Sequence, residues 1–265
     1  MLTPYLSVII PTHNRSNLLR RALVSINNQI RRDLIEIIVV SDMPDDETDE
    51  TCFELLGDND IYIKRNGIKG PSRSRNLGLK IANGKNIMFL DDDDSWTDQF
   101  MEDLFSSSDL GRSEIIYFNC NIIKESRSRN GPIKISESFL DTSGRLTLDV
   151  FVKNQVHMSC FIFSKGILHG LEFDESMRAY EDWDFQLSAF ERQFPIHQPI
   201  TCSNIYEVDD DTSDRRGSSI SATDLNAPID YLYVYRRHTA PTDELRSKRK
   251  NLLDCVNLVL PVDLL

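Results

Sequence analysis

The chain has 265 residues, enough for one sizeable core or a core with an appendage, and its 40% hydrophobic and 27% charged content is that of a globular protein, not a disordered one. A formal net charge of −12 excludes broad electrostatic attraction to nucleic acid but allows a local cationic pocket for phosphates. Five scattered cysteines without a C-x-x-C pair argue against a zinc site or a disulfide framework and fit a reducing compartment. The N-terminus lacks a basic region followed by a long apolar stretch, and no apolar run approaches the roughly 20 residues of a membrane span, so the chain is expected in the cytosol.

The first half reads as strands alternating with helices. Leu6 to Ile10 is a short apolar run stopped by Pro11, as in a buried strand. Leu18, Leu19, Ala22, Leu23 and Ile26 then recur at helical spacing, with Asn14 or Ser16 available as N-cap. Ile35 to Val40 is a second β-branched run ending at Ser41 and Asp42, and Ile61 to Ile63 suggests a third, shorter strand. Pro71 opens a helix that Asn83 and Gly84 close, and Ile87 to Leu90 is a strand running into Asp91 to Asp94. Such alternation implies an α/β fold with a doubly wound, mostly parallel sheet, whose ligand site lies beyond the carboxyl ends of the strands. Asp42 and the aspartate run fall at those ends.

The second half is less regular. Glu114 to Asn119 and Ser159 to Phe163 read as strands, the polar stretch Lys124 to Gly131 as a hairpin or loop, and Trp183 to Phe190 as a helix. Val208 to Ser221, with Arg215 and Arg216, reads as a loop. From about Leu225 the tail is helical, with Arg246, Lys248, Arg249 and Lys250 preceding a leucine-rich face. This tail suits packing on the rest of the chain or a neighbouring domain or subunit, or contact with the inner face of the cytoplasmic membrane. Residues 1–224 are expected to form the main domain, with about 1–120 and about 121–224 as its two halves, and 225–265 a helical extension.

Carboxylate oxygens are hard ligands that suit Mg²⁺ or Mn²⁺, ions often shared between protein and substrate phosphates. In extended chain Asp91 and Asp93 point the same way and present their carboxylates together. A P-loop is excluded, because Gly78 to Lys85 has one residue too many and Asn86 stands where Ser or Thr belongs. A phosphatase with an aspartate nucleophile after the first strand is excluded because Pro11-Thr-His-Asn-Arg15 occupies that position. A sugar nucleotidyltransferase would carry a glycine-rich basic loop there, which these five residues also lack. His13 is either a donor contact or a surface group. His157 and Met158 either lie under an acceptor or pack, and Trp96 and Trp183 either stack on sugar rings or fill the core.

Five segments in order carry a resemblance: Ser7-Val-Ile-Ile-Pro-Thr-His-Asn-Arg15, Ile37-Ile-Val-Val-Ser-Asp42, Gly70-Pro-Ser-Arg-Ser-Arg-Asn-Leu-Gly78, Phe89-Leu-Asp-Asp-Asp-Asp-Ser-Trp96 and Tyr180-Glu-Asp-Trp-Asp184. Together they resemble glycosyltransferase family 2, of the GT-A fold. The resemblance implies an inverting, metal-dependent transferase moving a sugar from a nucleotide-diphosphate donor, a UDP-sugar first, onto a saccharide or lipid-linked saccharide in surface polysaccharide assembly. It implies Thr12 in the nucleoside pocket, Asp42 on the base, and Arg75, Asp91 and Asp92 toward the donor. Asp91 and Asp93 then hold Mn²⁺ or Mg²⁺, with Asp93 the direct ligand, while Asp182 is the general base and Glu181 orients the acceptor. The histidine that the family often carries after Tyr206 is missing, and Arg215 or Arg216 is the candidate to close over the diphosphate instead. The alternatives are a catalytically silent nucleotide- or glycan-binding module of a larger enzyme, against which the intact Asp91, Asp93 and Asp182 argue, and a sugar nucleotidyltransferase.

Overall fold

A computed structural model describes residues 3–107, 113–128, 131–208 and 226–255. The first half forms β1 (Leu6–Thr12), α1 (Ser16–Asn27), β2 (Ile35–Ser41), α2 (Asp46–Leu55), β3 (Ile61–Lys64), α3 (Pro71–Ile81) and β4 (Asn86–Phe89). β1 and β2 are buried along their whole length, which is why their sequences read as continuous apolar runs rather than alternations. These four strands are parallel, in the order β3-β2-β1-β4. α1 turns Leu18, Leu19, Ala22, Leu23 and Ile26 inward as its spacing predicts. Its N-cap, however, is Arg15 without a capping side chain; Asn14 is left-handed (φ 49°), and the Ser16 hydroxyl donates to Glu47. α2 escapes a periodicity search because its inward residues are Thr48, Thr51 and Cys52.

α3 lies close against β1: a Cβ on Gly78 would stand 2.5 Å from Ile9 Cγ2, so only glycine lets the helix approach. The helix starts at Gly70, whose φ of 142° glycine tolerates best, followed by Pro71 in the first turn, where its missing N–H costs nothing.

The chain continues through β5 (Ser95–Trp96), α4 (Phe100–Ser106), β6 (Ile115–Ser128), β7 (Gly131–Leu140), β8 (Phe161–Ser164), α5 (Glu181–Phe190) and β9 (Ile196–Val208) to α6 (Asn226–Arg237) and α7 (Asp243–Cys255). The described strands make one sheet in the order β3-β2-β1-β4-β8-β6-β9-β5, with β7 also paired to β6. β8 is antiparallel to β4 and β6, whereas β6 and β9 are parallel. The expected α/β architecture thus forms, with a parallel half and a mixed half joined in one sheet. The polar stretch from Lys124 is the distal end of the long β6–β7 hairpin.

The core runs beneath both halves. Phe89 meets Phe163, Phe173 and Phe185 at ring separations of 5.0 to 6.3 Å. Trp96 and Trp183 are 1% and 0% exposed; the Trp183 indole N–H donates to the Val150 carbonyl at 2.7 Å. Both tryptophans therefore belong to the core rather than to a sugar-stacking surface. Met158 is likewise buried, while His157 is exposed.

The described part of the tail packs on the rest of the chain. Arg249, fully buried, donates to the carbonyls of Phe151, Tyr235 and His238 at 2.7, 3.1 and 2.7 Å. Arg246, Lys248 and Lys250 each pair with a nearby carboxylate, so the basic run is internally neutralised. No helix among the described residues is long and apolar enough to cross a membrane.

Candidate functional site

The carboxyl ends of β1 and β4 converge with the starts of α3 and α5 around a cavity of about 370 Å³. Arg15, Arg75, Asp91, Asp93, Arg178 and Glu181 are among its lining residues. The aspartate run is a tight turn, not extended chain: the Asp94 N–H donates to the Asp91 carbonyl at 3.0 Å. The expectation that alternation aligns Asp91 with Asp93 is therefore corrected. The turn spreads the four carboxylates to four environments.

Asp91, the most exposed, accepts from Arg75 Nη2 at 2.6 Å. Asp92 is 1% exposed and points inward, accepting from Thr12 Oγ1 at 2.7 Å and pairing with Arg15 at 2.7 Å. Asp93 lies between Arg15 at 3.1 Å and Arg127, from β6, at 3.2 Å. Asp94 is buried and accepts from Ser159 Oγ at 2.7 Å and the Tyr206 N–H at 3.2 Å. Burial pushes the Asp94 carboxyl well above its ordinary 3.8, and the nearby charges of Asp93 and Asp91 push the same way.

A second layer steadies this turn. Arg21 pairs with Glu125 at 2.7 Å, donates to the Asp93 carbonyl at 2.6 Å and lies 3.4 Å from the centroid of the Tyr206 ring. Burial alone would raise Glu125, but Arg21 and Arg127 outweigh it and hold the carboxylate below its ordinary range.

Arg75 links the two acidic elements. It is 4% exposed, donates to Asp91 from one nitrogen and to Glu181 at 3.1 Å from the other, and stands over the Phe173 ring. Burial disfavours its charge, yet Asp91 and Glu181 more than compensate and keep the guanidinium protonated. Glu181 and Asp182 open α5, where the helix dipole favours anions. Burial nevertheless raises both carboxyls from their ordinary values, against the opposing pull of Arg75. Asp182 accepts from Asn154 at 3.3 Å and from the Trp183 N–H at 2.7 Å. Tyr180, just before them, is left-handed (φ 61°), a conformation that costs about 1–3 kcal/mol in a non-glycine residue and recurs where surroundings fix a functional turn.

Two expected donor residues are turned away from the cavity. The Thr12 side chain is 0% exposed and serves Asp92, so it does not itself line a nucleoside pocket. The Asp42 carboxylate, also without exposed surface, is occupied by His13 Nδ1 at 2.5 Å, the Gly70 N–H at 2.7 Å and Arg65 at 3.4 Å. A buried carboxylate requires such donors. His13 is the part-exposed group at this corner. Arg216, and the loop it belongs to, lie outside the described residues.

Asp91 and Asp93 give a hard-oxygen pair suited to Mg²⁺ or Mn²⁺ held jointly with substrate phosphates, a common arrangement for the smaller ion. Among the described residues no group of three or more His, Cys, Asp or Glu side chains is arranged to hold a metal. Both carboxylates line the cavity, and both are held there by arginines.

Sequence reading gave no role to Arg21, Glu125, Arg127 or Arg178. Arg127 lies 34 residues from Asp93 in a stretch read only as a hairpin or loop, and nothing in its spacing announces the contact. Arg15 was recoverable, since it sits just past the carboxyl end of β1 where such sheets bind ligands.

Residues 7–171 match the family described as Glycosyl transferase family 2, more than half of the chain. The chain belongs to that family. It is 32% identical over 210 residues to the GalNAc(5)-diNAcBac-PP-undecaprenol beta-1,3-glucosyltransferase of Campylobacter jejuni, an alignment covering 78% of this chain and 66% of that protein. Over 90 residues it is 37% identical to the UDP-Glc:alpha-D-GlcNAc-diphosphoundecaprenol beta-1,3-glucosyltransferase of Escherichia coli, covering 34% of this chain and 36% of that one. The chain thus spans under two thirds of the length of these relatives. Among solved structures, S. aureus TarS 1-349 in complex with UDP-GlcNAc superposes with a TM-score of 0.67 at 19% identity, covering 94% of this chain and 71% of that one. That likeness establishes the glycosyltransferase fold shared by the two.

Proposed function

We propose that this glycosyltransferase-family chain transfers a sugar, with inversion, from a UDP-sugar to a hydroxyl of a lipid-linked saccharide during assembly of a surface polysaccharide. The observation that carries the reading is Arg75, whose single guanidinium joins Asp91 of the aspartate turn to Glu181 beside the proposed base, so that donor-side and acceptor-side groups share one cavity. The relatives support the donor and acceptor classes: one is named for a UDP-glucose donor, both for diphosphoundecaprenol-linked substrates, and the TarS structure holds UDP-GlcNAc.

In this mechanism Asp182 removes the acceptor proton as the hydroxyl oxygen bonds to the anomeric carbon. The bond from that carbon to the diphosphate breaks, and UDP departs from the opposite face. Burial raises the Asp182 carboxyl toward the range in which a general base works well, and a positioned base contributes about 10²- to 10⁴-fold. Glu181, steadied by Arg75, orients the acceptor. Arg75 and Arg15 face the developing charge on the leaving diphosphate. Mn²⁺ or Mg²⁺ bound by Asp91 and Asp93 would supply Lewis-acid stabilisation of that charge.

The test is thermal unfolding with a panel of nucleotides, with and without Mn²⁺. A native-state ligand raises stability by RT ln(1 + [L]/Kd). A shift with UDP that needs metal and disappears in Asp93→Ala, followed by UDP release from a UDP-sugar in the presence of acceptor, is the expected result. Absence of a shift with every nucleotide would sink the donor assignment and favour a silent module.

A further inference from the structure

We infer that Arg178 is a phosphate-oxygen receptor of this site, aimed by Asp230 of α6; this deepens the proposed transferase reading and rests on it for the identity of the substrates. Every other arginine in or behind the cavity is committed to carboxylates: Arg15 to Asp92 and Asp93, Arg75 to Asp91 and Glu181, Arg127 to Asp93 and Glu125. A phosphate entering the cavity must displace those partners to use those cations. Arg178 lines the same cavity, is exposed, and its guanidinium has no ion pair or hydrogen bond among the described residues. A planar fork of donors with no carboxylate on it, in a cavity whose other arginines are all engaged, matches a phosphate-bearing substrate.

The position of Arg178 is fixed from outside the segment that matches the family. Asp230 Oδ2 accepts from the backbone N–H groups of Arg178 at 2.8 Å and Ala179 at 3.0 Å. The following residue is the left-handed Tyr180, whose ring meets Tyr231 of α6 at 5.0 Å. One helix thus grips the turn from Arg178 to Tyr180 by two backbone bonds and an aromatic contact, immediately before Glu181 and Asp182. Asp230 is a positioning residue. It does not line the cavity itself but sets where Arg178 stands.

The phosphate has two candidate sources, the diphosphate of the nucleotide donor and the diphosphate of a lipid-linked acceptor, and the experiment separates them. Binding of UDP, of inorganic pyrophosphate to the nucleotide-free protein, and of pyrophosphate to the UDP-saturated protein is measured by titration calorimetry with Mg²⁺ present. The same titrations are run on Arg178→Gln, Arg178→Lys, Asp230→Ala and Asp230→Asn, each checked for an unchanged melting temperature. Hydrogen bonds to charged groups are strong enough that Arg178→Gln should weaken the bound anion roughly 10- to 100-fold, with Arg178→Lys in between. A loss on UDP assigns the donor diphosphate. A loss confined to pyrophosphate on the UDP-saturated protein assigns the acceptor. Asp230→Ala should lose part of the affinity and Asp230→Asn, which keeps an accepting oxygen, should restore it; a purely structural role would not give that rescue at equal melting temperature. If wild type binds pyrophosphate but not UDP, and Arg178→Gln abolishes it, the donor reading fails while the receptor stands. Wild type that binds neither anion, or a folded Arg178→Gln that binds both as wild type does, overturns the inference.

Discussion

The aspartate turn and the Glu181–Asp182 pair are both acidic, both beside Arg75, and built to opposite electrostatic ends. In the turn, Asp92 and Asp93 are matched by Arg15 and Arg127, with a hydroxyl from Thr12 added. In the pair, two adjacent carboxyls share one arginine and burial dominates, lifting both from their ordinary values. The first arrangement holds its charge in place beside cations. In the proposed mechanism the second is the one that takes a proton. The contrast teaches that residue type alone does not assign roles here; the count of cations and hydroxyls around each carboxylate does.

The sharpest test of that contrast separates activity from stability. Asp182→Asn should lower kcat for sugar transfer by about 10²- to 10⁴-fold, the usual worth of a positioned base, with little change in melting temperature. Wild-type kcat/KM should fall on the acid side through a pKa above the ordinary 3.8 of an aspartate. An acid limb at or below that value would contradict the raised carboxyl.

Asp92→Ala should do the reverse and unfold the protein more easily. Removing one partner of a buried ion pair costs about 3–5 kcal/mol, and here it leaves the Thr12 hydroxyl without its acceptor and Arg15 with Asp93 alone. Denaturant titration showing a loss below about 1 kcal/mol would mean that the turn does not depend on its inward carboxylate.

Asp94 offers a smaller, pH-dependent difference. Its folded-state carboxyl is raised, so its charge weakens the fold. That penalty is absent below the unfolded value near 3.8 and grows as pH rises through the folded value. Asp94→Asn should therefore flatten the decline in stability across that rise, read from melting temperature against pH. An identical slope in both proteins would remove Asp94 from the account. At the bottom of the scale, Phe53 is 92% exposed on α2, far in character from either acidic centre, and Phe53→Ser should change stability by less than about 0.5 kcal/mol by the same titration.

Much of this contrast was legible before any coordinates. β1, β2 and β4 are buried throughout or nearly so, which gives continuous apolar runs, and the aspartate turn follows just after β4. The five motif segments located Asp91, Asp93, Arg75 and the Glu181–Asp182 pair. What stayed hidden depends on pairing across the chain. Arg127 reaches Asp93 only because β6 runs on into its hairpin, and Asp230 reaches Arg178 only because α6 folds back across 52 residues. The inward turn of Asp42 onto His13 and Gly70 was equally invisible, since it depends on where the start of α3 lands. α2 was missed for a local reason: threonines and a cysteine face inward, where a search for leucine periodicity finds nothing.

The link between Asp94 and Tyr206 bears on the order of events during synthesis. Its two ends are 112 residues apart, and β5 pairs with β9 across a comparable distance. Contacts so remote in sequence close late, because their loop entropy is spent before the pairing rewards it. A ribosome that has released β1 to β4 has delivered strands able to assemble early, but the floor under the aspartate turn waits for β9 to emerge. A nascent chain stalled short of Tyr206 would therefore carry the parallel strands with an unfinished acidic turn, and its cavity would acquire its final shape only after β9 has emerged.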